Sequence, residues 1–447
     1  MKIHFVGLGG ISMSGVARYF KAKGFAISGS DLRAGPLTSS LMREGIRIKI
    51  GMHVAANLPK DADLLIYNRA IPLDNPELVA ARKRNVPLLP LAEALGRLTE
   101  MHKTIAITGS HGKSTTTALA SILFMKAGLD PTIFIGTNLN ELEGKNVRIG
   151  KSPWLVLEAD DFGRAFLSYS PTVVIVTNID REHLDFYKSF LALKASFLQF
   201  LSRTHEHGTL ILNRDDEVLF SLRARVAVIA KKKHLHVVWY TLQDPATRKI
   251  KRALRIPGRH NLSNAIAVYR LGKILQIPQK KILAALGAYR GSWRRMEERG
   301  TIRMEKKTIR VFDDYAHHPT EIRATLQAFR EKFPHAHLAC VFQPHQTERL
   351  RLLFKEFADS FMLADSLTLL PAYRVAGRDM QNPKFTAEKL AQAIKRKYPR
   401  KDVRYLADPK QLKRALLVEM TDIAQSEAVV VMMGAGDIVN YTDSLLK

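Results

Sequence analysis

"ITGSHGKSTTTA", residues 107–118, is the stretch that decides the fold. An apolar strand, "TIAITG", runs into Gly109. Two residues later Gly112 is followed by Lys113, Ser114 and a helical pattern. The general phosphate-binding loop spaces its glycines as G-x-x-x-x-G-K-[ST], so this loop is two residues short. It keeps what the physics needs. A strand-to-helix turn aims backbone N–H groups and the positive helix end at an anion. The lysine can neutralise the β/γ-phosphates and the serine hydroxyl can reach Mg²⁺. Gly109, Ser110, His111, Gly112, Lys113, Ser114 and Thr115 are therefore the candidate nucleotide-binding residues.

Two acidic strand ends follow. "PWLVLEAD" (153–160) and "PTVVIVTNID" (171–180) read as strands, with Glu158 at the end of the first and His183 just beyond the second. Ligands of an open parallel sheet gather at the carboxyl ends of its strands. Ser114, Glu158 and His183 are thus predicted to surround Mg²⁺, which keeps water and phosphate oxygens in its other positions. Lys113, Glu158 and His183 are the candidate catalytic groups of this segment.

The same strand–helix alternation occurs before and after this segment. "KIHFVGLG", "FAISGSD" and "DADLLIYN" read as strands separated by helical patterns. The cluster "GLGGISMSG" (7–15) begins a dinucleotide fingerprint with Gly7 and Gly9, but its third position is Ser12. Asp31 stands roughly where a ribose-binding acid would. A glycine-rich loop before a helix suits any diphosphate, so a nicotinamide dinucleotide and a nucleotide sugar both fit. Further strands are read near "TIRVFDDY" (308–315), "HLACVFQP" (337–344), "SLTLLPAY" (366–373) and "AVVVMMGAG" (428–436). The expectation is an α/β protein of three domains, with boundaries at 1–100, 101–290 and 291–447.

Composition bounds the function. Hydrophobic residues make up 46% of the 447 and charged residues 25%, as in a globular protein with real cores. No apolar stretch approaches the roughly 20 residues of a membrane span. The strand directly after Met1 leaves no room for a secretory leader. The single cysteine, Cys340, permits no intramolecular disulfide. A cytoplasmic protein without membrane insertion is expected. Lys+Arg 69 against Asp+Glu 42 gives +27, a field that attracts polyanions. The basic runs "KKKH" (231–234), "RKIKRALR" (248–255) and "KRKYPRK" (395–401) carry no aromatic-basic signature, so no specific nucleic-acid partner is expected.

Nine motifs, in order, make the chain resemble the Mur ligase family. They are "HFVGLGGISMSGVA" with "GSD", "RAIPLDNPEL", "ITGSHGKSTTT", "LEADDFGRAFL", "TNIDREHLDFY", "PGRHNLSNA", "DDYAHHPTEI", "FQPHQTERL" and "GAGDI". The shortened G-x-x-G-K-[ST] loop is that family's own version. The resemblance implies a Rossmann-like N-terminal domain for a UDP-sugar, a central ATPase with a mainly parallel sheet, and a Rossmann-like C-terminal domain. It implies UDP-N-acetylmuramate held by Gly7, Gly9, Gly10, Ser12 and Asp31. ATP and Mg²⁺ would take the central loop. His260 and Asn261 would face adenine, Arg295 the phosphates and Asp314 the ATP ribose. Tyr315, His317, His345 and Arg349 would line the acceptor side, where L-alanine would bind.

The implied chemistry is attack of the lactyl carboxylate on the γ-phosphate, giving an acyl phosphate that the alanine amine then resolves. A monomer or weak homodimer, acting in peptidoglycan synthesis, is expected. Gln346 stands where the alanine-adding members usually carry arginine, Glu348 where a small hydroxyl is common, Leu91 at a usual arginine, and Gly163 at an expected acid; "GMH" (51–53) breaks a usual Gly-His pair. Lys194 is read as an ordinary lysine, its spacing from His183 being short for the modified lysine of related ligases. The alternatives are a ligase joining an intact tripeptide to the same nucleotide sugar, and a non-catalytic ligand- or nucleic-acid-binding protein on the ligase fold.

Overall fold

A computed structural model describes residues 1–304, 307–374 and 384–446. Three sheets occur in chain order. The first contains β1 (Lys2–Val6), β2 (Ala26–Asp31), β3 (Arg47–Ile50), β4 (Leu64–Tyr67) and β5 (Leu88–Pro90), in the order β3-β2-β1-β4-β5. All its pairings are parallel. β1 is the switch point, because the chain leaves it to one side for β2 and β3 and returns on the other for β4 and β5. The Gly7 loop follows directly from it.

The second sheet contains β6 (Lys103–Thr108), β7 (Thr132–Leu139), β8 (Lys145–Arg148), β9 (Trp154–Glu158), β10 (Val173–Val176), β11 (Thr209–Asn213) and β12 (His236–Tyr240). Its order is β12-β11-β10-β6-β9-β7-β8, parallel except for the β7–β8 pair. β6, which feeds the phosphate loop, lies between β9 and β10. That order brings Glu158 to one side of the loop and the "TNID" segment to the other. Strands covered on both faces read as unbroken apolar runs, and β10, "VVIV", is buried throughout. β10 stops at Val176, earlier than "PTVVIVTNID" implies, because residues 177–180 turn to hold the neighbouring loop.

The third sheet contains β13 (Glu297–Met304), β14 (Lys307–Asp314), β15 (His337–Phe342), β16 (Ser366–Leu369), β17 (Asp402–Tyr405) and β18 (Glu427–Met433). Its order is β13-β14-β18-β15-β16-β17, with only β13–β14 antiparallel.

The chain divides into two compact units: Met1–Leu254 with Ser263–Tyr289, and Arg255–Leu262 with Arg290–Lys447. The first unit holds two sheets. They are joined where the helix Ile11–Ala22 meets β7 and β8. Arg18 donates to Asn146 at 3.2 Å, and the Asn146 amide donates to the Ile11 carbonyl at 2.6 Å. Gly15 leaves room for this approach, since a Cβ there would lie 3.2 Å from Asn146 and 3.3 Å from Phe134. Among the described residues no helix is long and apolar enough to cross a membrane.

Candidate active site

The phosphate loop is held by the end of β10. Thr177 donates to the carbonyls of His111 (2.6 Å) and Thr108 (3.2 Å). Asn178 clasps His111 from both sides: its side-chain oxygen accepts from the His111 amide at 2.8 Å and its amide donates to the His111 carbonyl at 2.9 Å. The Asp180 amide donates to Ser110 Oγ at 2.8 Å, and Asp180 Oδ2 lies 2.9 Å from His111 Nε2. These bonds occupy Ser110 and His111 from behind. Gly109, at φ 138, is pressed against Thr177, and a Cβ there would lie 2.0 Å from its hydroxyl. Gly112, at φ 81, is the N-cap of the helix Lys113–Ala127, and a Cβ there would lie 2.7 Å from Asn264. Both positions require glycine. Asn264 and the Thr177–Asp180 brace were missed by sequence reading; the signal for the brace was the polar run "TNID" after an apolar strand.

Lys113 Nζ donates to the carbonyls of Gly109 (2.6 Å) and Ser110 (3.2 Å) and to Asp161 Oδ1 (2.8 Å). Burial works against its charge, but Asp161, Asp160 and Glu158 outweigh this and hold it above the usual lysine range. Ser114 donates to Glu158 Oε1 at 2.9 Å, while the Gly136 amide donates to Oε2 at 2.7 Å. Burial pushes the Glu158 carboxyl up, against the Gly136, Lys113 and Ser114 interactions. Ser114 and Glu158 are therefore brought together as expected. Among the described residues His183 groups with Asp160 and Asp161, their ligand atoms lying within 4.8 Å of one another. The helix Phe190–Leu201 carries Lys194 with its ammonium over the Phe190 ring, 5.3 Å from the centroid.

At the N-terminal loop, Gly7 has φ 82, and Gly10 is the N-cap of the Ile11–Ala22 helix with Ser12 exposed in its first turn. The Gly7 amide donates to the Ser30 carbonyl at 2.9 Å. Asp31 supports the loop: its Oδ2 accepts from the Gly9 amide at 2.7 Å and its Oδ1 from the Arg33 amide at 3.1 Å. A buried cluster lies alongside. Glu77 meets His4 at 2.8 Å, His53 at 2.7 Å, Ser30 at 2.9 Å and Asn57 at 3.1 Å. His53 of "GMH" thus has a packing role that its broken motif did not announce. Gly163, at φ 63, gives its carbonyl to Arg69 in the position of the expected acid.

In the second unit, Tyr315, His317, His345 and Arg349 come together. The ring centroids of Tyr315 and His317 are 5.3 Å apart, and those of His317 and His345 are 5.8 Å apart. Arg349 donates to the His345 carbonyl at 3.1 Å. Tyr373, not anticipated, stacks on His345 at 5.5 Å and 8°. Gln346 has φ 68 and is buried, whereas Glu348 pairs with Arg351 at 2.6 Å on the surface.

Asp314 is buried and faces inward, accepting from the amides of Ala316 and Met296 at 2.9 Å each. Arg295 lies over the Tyr315 ring at 5.2 Å and 3.8 Å from Glu321. Asn261 donates to the Pro257 carbonyl at 2.6 Å. The His260 imidazole is pushed down to about 4 by burial and by Arg295.

Similarity to known proteins covers this whole arrangement. Models of the Mur ligase family match in three consecutive parts: the catalytic domain at residues 2–103, the middle domain at 107–272 and the glutamate ligase domain at 294–436. A UDP-N-acetylmuramate–L-alanine ligase of Trichlorobacter lovleyi is 38% identical over 100% of this chain and 98% of its own. That of Geobacter sulfurreducens is 38% identical over 100% and 97%. Among solved structures, the UDP-N-acetylmuramate–alanine ligase of Thermotoga maritima superposes with a TM-score of 0.78 at 28% identity, covering 100% of this chain and 98% of the other. A murein peptide ligase of Psychrobacter arcticus shares the fold, with a TM-score of 0.69 at 21% identity over 100% and 98%. The chain belongs to the Mur ligase family.

Proposed function

We propose that this enzyme joins L-alanine to the lactyl carboxylate of UDP-N-acetylmuramate at the expense of ATP, releasing ADP and phosphate. The observation that carries the reading is the braced loop with Lys113 at its mouth and Ser114 joined to Glu158. It fits a nucleotide: Gly109 and Gly112, packed against Thr177 and Asn264, fix the strand-to-helix turn, and Lys113 and the helix start supply positive charge at one point. The donors also fit Mg²⁺, being a hydroxyl and carboxylates, one with a buried oxygen, Asp161 Oδ2, that has no hydrogen-bond partner. Ser114, Glu158 and His183, with Asp160 or Asp161, would hold the ion. It would offset phosphate charge.

The chain's own residues position and neutralise. Lys113 reaches the phosphates from the loop, and the acyl phosphate formed on the lactyl group is then open to the alanine amine. Gly7, Gly9, Gly10 and Ser12 receive the UDP-sugar diphosphate, with Asp31 fixing the loop rather than the ribose. Tyr315, His317, His345 and Arg349 form the acceptor side. His260, Asn261, Arg295 and Asp314 are assigned to the nucleotide by the resemblance. The three functional spans 1–100, 101–290 and 291–447 belong to this proposal, as do a cytoplasmic setting and a monomer or weak homodimer. The central test is Lys113→Ala. Electrostatic groups of this kind are worth about 10²–10³ in rate, so turnover should fall by that factor while the protein melts cooperatively. Near-normal turnover in the variant would make the loop structural.

A further inference from the structure

Asp161 faces Lys113 and the candidate cation site at once. One oxygen holds Lys113 at 2.8 Å. The other, Oδ2, is buried and has no hydrogen-bond partner. The residue is fully buried, and the Tyr187 hydroxyl fixes its backbone carbonyl. Its neighbours Asp160 (exposed) and His183 (half-buried) place ligand atoms within 4.8 Å of it and of each other. His183 is fixed from its other sides by the Phe162 ring, 5.0 Å away, and by Glu182, whose oxygen is 3.9 Å from Nδ1. An oxygen-rich set with one imidazole and an open buried oxygen is suited to a divalent cation.

We propose that Asp161 is a positioning residue that retains Lys113 in the nucleotide-free enzyme, and that a divalent cation seated by Asp160, Asp161 and His183 releases Lys113 to the phosphates. The inference rests on the reading of the loop as a nucleotide site. Lys113 donates to two loop carbonyls and to Asp161, so its ammonium is already committed. Moving it to a phosphate removes the partner of a buried carboxylate, a change that is strongly unfavourable unless another cation takes its place. A cation on Oδ2 supplies that charge and repels the ammonium. Cation and nucleotide binding are thereby coupled through one side chain, and the coupling is reciprocal by thermodynamic necessity.

The test uses the full chain, with Mn²⁺ alone followed by electron paramagnetic resonance, and a fluorescent ADP followed by anisotropy. ADP binding by the wild type in Mg²⁺ checks the nucleotide reading itself. Mn²⁺ binding without nucleotide checks the exchange independently of it. Lys113→Ala should bind Mn²⁺ alone at least about tenfold more tightly than the wild type, because Asp161 loses its competing ammonium. Asp161→Asn should bind Mn²⁺ more weakly, yet bind ADP in EDTA more tightly than the wild type, with a smaller gain on adding Mg²⁺. Circular dichroism confirms that both variants are folded. Unchanged Mn²⁺ affinity in Lys113→Ala, or weaker ADP binding in EDTA by Asp161→Asn, would overturn the proposal even if the wild type binds ADP well.

Discussion

Replacing Gly109 by alanine isolates the brace behind the phosphate loop. The residue sits at φ 138, and its added methyl would lie 2.0 Å from Thr177 Oγ1 and 3.1 Å from the Asn178 backbone nitrogen and oxygen. A non-glycine residue in such a region costs about 1–3 kcal/mol. Forcing a methyl into a filled space costs about 1–3 kcal/mol more. The native loop is therefore disfavoured by at least about 2 kcal/mol, and at about 1.4 kcal/mol per decade ATP affinity and turnover should each fall at least thirtyfold. Gly24→Ala provides the control. Gly24 has φ 87 with nothing within 4 Å, so it bears the backbone strain without the collision, and turnover should be unchanged. Removing the obstructing hydroxyl in Gly109→Ala/Thr177→Ala should recover part of the loss. Recovery stays incomplete because the Thr177 bonds to His111 and Thr108 are lost, at about 1 kcal/mol each. The assay is steady-state kinetics with fluorescent-ADP binding. If Gly109→Ala retains affinity within threefold, or the double variant is no better than the single, the brace does not shape the site.

Three further outcomes follow from the same geometry. Arg349→Ala should weaken L-alanine use by roughly ten- to a hundredfold with the KM for ATP unchanged, since a hydrogen bond to a charged group is worth about 1.5–3 kcal/mol; kinetics that spare alanine would refute this. His260 should titrate near pH 4 by NMR, being pushed down to about 4 by burial and Arg295. The unfolded chain binds its proton near 6.5, so His260 makes stability fall as pH drops from about 6.5 to 4, and His260→Gln should flatten that part of a denaturation profile. The +27 charge exceeds what two anionic substrates need, so weak polyanion binding should occur and vanish steeply with salt; tight, salt-resistant RNA binding would contradict it.

Three strands of the central sheet, β6, β9 and β10, were legible because they are buried on both faces and read as apolar runs, and because a glycine–lysine–serine turn fixes their direction; the buried β7 and β11 were passed over. Short or edge strands were not legible. β3 ("RIKI") is largely exposed, and β5 spans only three residues, so neither carries a strong periodic signal. The site was legible where one residue type performs one task, as with Lys113, Ser114 and Glu158. It was obscured where a carboxylate serves the backbone. Asp31 looks like a ribose ligand in sequence, yet its two oxygens accept the amide hydrogens of Gly9 and Arg33. Asp161 was passed over because its importance comes from an ammonium 48 positions away in the chain.

The most direct measurement is phosphate release by the purified protein with ATP and Mg²⁺, comparing UDP-N-acetylmuramate with L-alanine, either substrate alone, and UDP-N-acetylmuramate with an intact tripeptide. The account predicts stoichiometric ADP, phosphate and UDP-N-acetylmuramoyl-L-alanine only when both UDP-N-acetylmuramate and L-alanine are present. Preference for the tripeptide, or no alanine-dependent phosphate release from a protein that binds ATP, would contradict it.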